Sequence, residues 1–185
     1  MSNTFLTADC HFGHRGIVTF FREDGVTPER PWNTVEEMDE ALVANWNSVV
    51  RPKDTIYVLG DFVINRSALH IARRLNGKKY LIKGNHDVLR ASEYLEYFED
   101  LLGSKGFDNN ILTHIPVHTN QLRYYGGRYE KNCHGHLHSK IVLADIYDRE
   151  YEEWEYPPDN NYVCVSVEQT NFTPVAYEEL KKGFK

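Results

Sequence analysis

The sequence feature that most constrains the fold is a short apolar run, residues 80–82, which leads into the polar segment 84–87. A run of this length, bounded by Lys78, Lys79 and a glycine, is typical of a buried strand. The segment then supplies an amide, an imidazole and a carboxylate in consecutive positions. Because functional side chains often follow strand ends in α/β sheets, this segment predicts a site. The alternative is a Gly-Asn turn with solvated side chains.

Other predicted strands end in the same way. Residues 3–8, residues 54–59 and two later segments each run into side chains that can bind metal or move protons. These side chains are Asp9, His11, Asp61, His114, His136 and His138. Several of them occupy alternate positions, and alternate side chains of an extended segment share one face. We therefore expect the strand ends to converge on one edge of a sheet.

The segments between the predicted strands favour helices. Thr34 and Glu37 form a capping box before apolar residues at helical spacing, which predicts a helix that ends before Pro52. A second helix is predicted over residues 67–75. Further predictions are a short helix over 92–98, a β-hairpin of 99–102 with 110–113, a strand over 162–167 and a helix or turn over 174–180. This order of elements predicts a layered α/β domain.

Composition bounds the size and setting of the protein. The 185 residues fit one domain, residues 1–185, and the net charge of −6 argues against long nucleic acid as a partner. The three cysteines lack the spacing of a disulfide framework. We find no signal-peptide pattern and no apolar run near the roughly 20 residues that span a bilayer. A soluble, cytoplasmic protein without membrane contact is therefore expected.

The candidate ligands indicate the kind of metal. With Asn85 included, they offer imidazoles, carboxylates and an amide oxygen. This mixed set suits manganese first, with iron, zinc, nickel or cobalt as alternatives, whereas calcium and magnesium prefer oxygen ligands. Seven side chains are too many for one ion. The pattern therefore predicts two divalent transition-metal ions sharing one carboxylate, a pair that can clamp a phosphoryl group and activate a water.

The same residues, in the same order, resemble the motifs of a known family. The motifs Asp9-x-His11, Gly60-Asp61, Gly84-Asn85-His86-Asp87, His114 and Gly135-His136-x-His138 are similar to those of the calcineurin-like metallophosphoesterases. The resemblance covers residues 3 to about 168, and segment 9–14 resembles the small bacterial and phage phosphoesterases. It implies an α/β fold in which a layered β-sandwich is flanked by helices, in the order α/β/β/α.

The resemblance also implies a role for each matching residue. One ion would be held by Asp9, His11 and His138, the other by Asn85, His114 and His136, and Asp61 would bridge the two. His86 would not be a ligand but the general acid that protonates the leaving group. The implied reaction is attack of a metal-bound hydroxide on phosphorus, without a covalent enzyme intermediate.

The sequence departs from the family at one position that matters for His86. Many relatives carry a second aspartate three residues after the bridging one, and it orients the acid histidine. Here that position is Ile64. We expect Asp87 or Asn65 to orient His86 instead, and we count Asp87 among the catalytic residues; the alternative is a less well tuned His86 and slow turnover.

Two further residues and one stretch have open roles. His14 and Arg15 are candidate contacts for the substrate phosphate. The alternatives are a loop-stabilising hydrogen bond for His14 and a solvated surface position for Arg15. The aromatic, acidic stretch 147–156 is interpreted as a substrate lid, a dimer contact or plain packing.

The predicted function is hydrolysis of a small phosphodiester or phosphomonoester, with a nucleotide among the candidate substrates. A diester is favoured because His86 offers an acid for a poor leaving group, and no obvious basic cluster is placed to bind a dianionic monoester. The alternatives are a catalytically weak metal-binding scaffold for a protein partner and a nuclease acting on short nucleic acid. A monomer or a homodimer is expected.

Overall fold

Two β-sheets form the middle of the structure, a computed structural model that describes residues 2–148 and 153–184. In chain order the strands are β1 Thr4–Thr7, β2 Thr55–Val58, β3 Lys78–Ile82, β4 Asp100–Leu102, β5 Lys105–Phe107, β6 Asn110–Leu112, β7 Asn132–His134, β8 Ile146–Asp148, β9 Glu153–Glu155, β10 Tyr162–Cys164 and β11 Val175–Ala176. The α-helices are α1 Val35–Val49, α2 Ala91–Tyr94 and α3 Tyr177–Lys182. Short 3₁₀ helices cover Ile17–Thr19, Arg66–Arg74, Thr119–Gln121 and Arg123–Tyr125.

The first sheet has the strand order β11-β1-β2-β3-β4, and the second has the order β10-β7-β6-β5. Strands β1 to β4 are parallel to one another, and β11 is antiparallel to β1. Strands β8 and β9 form a separate two-stranded sheet. The α/β architecture of two sheets flanked by helices, expected from the sequence, is confirmed.

The first sheet is buried on both of its faces. On β2, Ile56 and Val58 belong to the apolar cluster that contains Trp46 of α1. Tyr57, between them, belongs to the cluster that contains Leu112 of the second sheet. Strands covered on both faces have continuous apolar sequences, which is why these strands stand out in the sequence as short apolar runs.

The helix predicted before Pro52 is confirmed as α1. The Thr34 side chain accepts a hydrogen bond from the Glu37 N–H at 3.1 Å, as in a capping box. The second predicted helix is a 3₁₀ helix, Arg66–Arg74, which Asn65 caps by accepting from the Ala68 N–H. The predicted helix over 92–98 is shorter and starts earlier, as α2.

The predicted hairpin of residues 99–102 with 110–113 is wrong. Strand β4 instead continues the first sheet parallel to β3, and β5 pairs with β6 in the second sheet. Asp108 and Asn109 make the turn between β5 and β6 with φ values of 48° and 62°, a conformation that these residue types tolerate. The glycine of the expected hairpin loop, Gly106, lies within β5 and not in a turn.

The C-terminal part of the described chain links the two sheets. The predicted strand over 162–167 is shortened to β10, and beyond it Ser166 forms an isolated parallel bridge with Ala8 of the first sheet. The interpretations of the stretch 147–156 fall partly on residues 149–152, which lie outside the described residues. Within residues 2–148 and 153–184, no helix has the length and apolarity required to cross a bilayer.

Candidate metal centre

The segments that follow β1 and β2 lie side by side. The N–H of Asp9 donates to the Gly60 carbonyl at 3.0 Å, and the N–H of His11 donates to the Asp61 carbonyl at 2.9 Å. The loop after β7 joins them, because the N–H of His136 donates to Oδ2 of Asp9 at 2.9 Å. The predicted convergence of strand ends is therefore present, but not at the edge of one sheet. Strands β1 and β2 belong to the first sheet and β7 to the second, so strand ends of both sheets meet.

Asp9, His11 and His138 form the first group of candidate ligands. Their ligand atoms all lie within 4.8 Å of one another. Oδ1 of Asp9 and both ring nitrogens of His11 are buried without a hydrogen-bond partner in the described part of the chain. An unpartnered buried polar atom costs about 1–3 kcal/mol, and a divalent cation would satisfy Oδ1 of Asp9 and one of the two ring nitrogens of His11. Burial raises the pKa of Asp9 to about 6.

Asp61 lies between histidines of two groups. Its Oδ2 is 3.6 Å from Nε2 of His11 and 3.4 Å from Nε2 of His114. Its Oδ1 accepts a hydrogen bond from the His86 N–H at 2.8 Å. Burial acts to raise the pKa of Asp61, but the hydrogen bond and charge of His114 lower it to about 2, so the carboxylate is ionised. This is the position expected of a carboxylate shared by two ions.

Asn85, His114 and His136 form the second group. Oδ1 of Asn85 lies 2.9 Å from Nε2 of His114 and 3.1 Å from Nδ1 of His136. Nδ1 of His114 lies 2.9 Å from the Leu59 carbonyl oxygen. Because a carbonyl oxygen only accepts hydrogen bonds, Nδ1 carries a proton and donates it in a hydrogen bond to Leu59. That contact leaves Nε2 of His114 as the nitrogen that faces Asn85 and Asp61.

Five of the predicted ligands have a left-handed backbone. The φ angle is 56° at Asp9, 50° at His11, 53° at Asp61, 69° at His136 and 53° at His138. A left-handed conformation costs roughly 1–2 kcal/mol in residues with a side chain, and such outliers cluster at functional sites. The loops therefore hold strained backbone in the conformation that brings these side chains together.

Two glycines leave room for ligands. A Cβ atom on Gly84 would overlap Oδ1 of Asp61, and one on Gly135 would overlap Oδ2 of Asp9. In each case a motif glycine lets the backbone of one loop pass directly against a carboxylate from another. The glycines of the two motifs are thus steric requirements of the candidate centre.

A buried ion pair holds His138 and was missed by the sequence analysis. Nδ1 of His138 lies 2.9 Å from Oε1 of Glu168, and the same oxygen accepts from Nε of Arg30 at 2.7 Å. Arg30 also donates to the Asp9 carbonyl at 2.7 Å. Burial acts to lower the pKa of His138, but the hydrogen bond and charge of Glu168 raise it. Because Nδ1 faces the carboxylate, that nitrogen carries the proton. Nε2 is then the nitrogen available to a metal.

Ser166 is a second residue that the sequence analysis missed. Its hydroxyl donates to Oδ2 of Asp9 at 2.6 Å. Ser166 and Glu168 stand at alternate positions at the end of the predicted strand 162–167. The ligand pairs Asp9/His11 and His136/His138 show the same alternation. Arg30 carries no such signal, because it lies between Pro28 and Pro31 in a segment without a strand or helix pattern.

His86 and His14 lie in a cleft of about 540 Å³ that opens beside the ligands. The His86 ring is exposed, and its centroid is 5.4 Å from that of His11. Nδ1 of His14 accepts from the N–H groups of Gly16 and Ile17, both at 3.1 Å. The neutral His14 ring therefore carries its proton on Nε2, where it can serve as a donor.

Asp87, Asn65 and Arg15 are not placed as expected beside His86 or the substrate cleft. The buried Asp87 carboxylate accepts from the N–H groups of Asp61, Phe62 and Gly84, at 2.7, 3.1 and 2.9 Å, and so binds backbone and not the His86 ring. The Asn65 side chain accepts from Ala68 as a helix cap and donates to the Gly13 carbonyl. Arg15 is exposed and lines a different depression, beside α1.

Strand ends of two sheets thus bring together histidine, aspartate and asparagine side chains, and groups among them could hold a metal ion. The chain belongs to the calcineurin-like phosphoesterase family, whose sequence profile matches residues 3–173. The resemblance seen in the motifs is thereby confirmed.

Several individual proteins are similar to this chain over most of its length. An uncharacterised protein of Methanocaldococcus jannaschii, MJ1445, is 33% identical over 193 residues, which cover 98% of this chain and 91% of the relative. The gene 66 protein of Mycobacterium phage L5 is 29% identical over 176 residues, covering 78% of this chain and 81% of the relative. The solved structure of AQ665 from Aquifex aeolicus, a protein of unknown function, superposes with a TM-score of 0.64 at 22% identity, covering 98% of this chain and 99% of that one.

Proposed function

We propose that this chain is a metal-dependent phosphodiesterase that acts on a small phosphate ester with two divalent transition-metal ions. The observation that carries the proposal is the buried set of ligand atoms on Asp9 and His11 that find no hydrogen-bond partner among the described residues, together with the position of Asp61 between His11 and His114. One ion would be held by Asp9, His11 and His138, the other by Asn85, His114 and His136, with Asp61 shared. Manganese is the first candidate metal.

The charges around the cleft favour a diester over a monoester. Arg22 and Lys140 are the cationic side chains that line the cleft in the described residues. Nζ of Lys140 is already 2.7 Å from the Glu23 carboxylate. A dianionic monoester would therefore meet little uncompensated positive charge beyond the metals. A monoanionic diester requires less positive charge for binding.

Two histidines of the cleft that are not candidate ligands have a part in the proposed reaction. When bound, the two ions would neutralise phosphoryl charge and activate a water for in-line attack. His86 stands outside both ligand groups and would donate a proton to the leaving-group oxygen. His14 would donate a hydrogen bond from Nε2 to a phosphoryl oxygen.

The test compares two diesters with different leaving groups, using protein stripped with a chelator and reloaded with Mn²⁺. His86→Ala should reduce turnover of bis-p-nitrophenyl phosphate by about tenfold and of dithymidine phosphate by about 100-fold or more, because an alkoxide needs the proton more than a nitrophenolate does. Bound Mn²⁺, measured by elemental analysis, should not change.

His70 offers the matched control, since its exposed ring lies on the 3₁₀ helix away from the cleft. His70→Ala should leave turnover and metal content as in the unmodified protein. Absence of Mn²⁺-dependent hydrolysis of any diester or of p-nitrophenyl phosphate would refute the proposal. Two bound ions without hydrolysis would instead support a metal-binding scaffold.

A further inference from the structure

The cleft beside the candidate metal centre has an apolar wall that the proposed reaction does not use. Phe20 and Phe21 line the cleft with 51% and 58% of their surface exposed. Leu137, between the ligands His136 and His138, also lines it. Large apolar side chains left this exposed next to a polar site commonly mark a surface that a ligand covers.

The wall is close to the candidate ligands and is fixed to them. The Phe20 ring centroid is 5.8 Å from that of His14, which in turn is 5.6 Å from that of His11. The loop that carries both phenylalanines is closed by hydrogen bonds from Glu29 N–H to the Phe20 carbonyl and from Arg22 N–H to the Thr27 carbonyl, both at 2.8 Å. A group attached to a phosphate held near His14 would therefore reach this wall.

The segment after His138 lines the opposite side of the cleft and contacts the loop that carries Phe20 and Phe21. The Glu29 carboxylate accepts from the N–H and the hydroxyl of Ser139, both at 3.1 Å, directly after the ligand His138. Lys140 and Glu23 form an ion pair at 2.7 Å across the same boundary. These contacts fix the apolar wall relative to the candidate metal centre. The polar groups of Glu23, Glu29, Ser139 and Lys140 lie at its rim.

We propose that Phe20 and Phe21 form a stacking face for the base of a nucleotide ester whose phosphate lies at the metal centre, so that the substrate class is a small nucleotide phosphodiester. The proposal rests on the proposed function. A flat base suits the exposed phenylalanine rings, and the polar rim suits the donors and acceptors on the base edge. A cleft of about 540 Å³ holds a ligand of this size, while the net charge of −6 disfavours a long strand.

Binding measurements isolate the contribution of the base. Isothermal titration of Mn²⁺-loaded protein with adenosine 5′-monophosphate and with ribose 5-phosphate compares ligands that share a phosphate and a sugar. The nucleotide should bind at least about tenfold more tightly, in line with the usual strength of base stacking. The joint variant Phe20→Ala and Phe21→Ala should abolish that preference while ribose 5-phosphate affinity stays within about twofold.

Two variants sharpen the result. Phe21→Leu keeps an apolar side chain without a flat face, and should reduce the preference by about threefold or more. Tyr124→Ala removes an aromatic ring that is 78% exposed and does not line the cleft, and should leave the preference unchanged.

The inference is overturned if the two ligands bind equally to the unmodified protein or if the preference survives in the double alanine variant. Hydrolysis distinguishes this failure from that of the proposed function. Diester turnover without a preference for the nucleotide would refute only the stacking role of Phe20 and Phe21. A preference for the nucleotide without turnover of any diester would refute the proposed hydrolysis and support a nucleotide-binding site.

Discussion

Nδ1 of His138 lies 2.9 Å from Oε1 of Glu168, and this oxygen also accepts a hydrogen bond from the buried Arg30. A carboxylate behind a metal-binding histidine fixes the ring orientation and the protonated nitrogen. Arg30 adds a second constraint, because it also donates to the carbonyl of Asp9. One buried ion pair thus positions two candidate ligands, Asp9 and His138, that are far apart in the sequence.

Glu168→Gln should weaken Mn²⁺ binding by about 10- to 100-fold, the usual effect of removing such a partner from a ligating histidine. The neutral amide cannot hold the His138 proton or compensate the Arg30 charge equally well. Isothermal titration with Mn²⁺ measures the change. Glu130→Gln is the control, because Glu130 pairs with Arg123 at 2.9 Å on the surface. Equal affinity in both variants would contradict a positioning role for Glu168.

Gly84→Ala should abolish binding of at least one Mn²⁺ ion, because the new Cβ would displace the carboxylate of Asp61. Gly103→Ala is the matched control, since a Cβ there meets nothing within 4 Å. Metal content by elemental analysis and folding by circular dichroism report the two effects separately. Normal metal content in Gly84→Ala would show that Asp61 is not a required ligand.

Asp87→Ala should destabilise the chelated protein by about 2–4 kcal/mol, because several buried backbone N–H groups lose a charged acceptor. Thermal unfolding of the metal-free protein should show a decrease in Tm of about 4 °C or more. Asp100→Ala, at an exposed position, should have little effect. An unchanged Tm combined with lost hydrolysis would return Asp87 to the role of orienting His86.

Mn²⁺ affinity should fall as the pH is lowered through about 6. Burial raises the pKa of Asp9 to about 6 in the metal-free protein, so below that pH the metal must displace a proton from this carboxyl. The raised pKa of His138, where the hydrogen bond to Glu168 outweighs burial, acts in the same direction. Titration calorimetry at pH 5.5, 6.5 and 7.5 measures the trend, with circular dichroism as the folding control. Constant affinity across this range would contradict binding of the metal by an Asp9 carboxyl whose pKa is raised to about 6.

The parts of the site that depend on short sequence segments could be predicted. A strand end is visible in the sequence as an apolar run that stops at polar residues, so the sequence alone predicts that Asp9 and Asn85 lie close together. The sequence does not predict the position of Arg30, because its partner Glu168 is 138 positions away and a loop arginine has no pattern of its own. The hairpin error has a similar cause, since the pairing of β4 with β3 is set by the sheet and not by the nearest turn.

The left-handed backbone of the candidate ligands also has an evolutionary consequence. Glycine adopts φ values such as the 69° of His136 without steric cost, so replacing this ligand by glycine should relieve about 1 kcal/mol of strain. His136→Gly should then raise the Tm of the chelated protein by about 2–4 °C, while it removes a ligand. Selection for stability alone would therefore favour loss of the centre. Only selection for what the centre does would preserve histidine and aspartate at such positions.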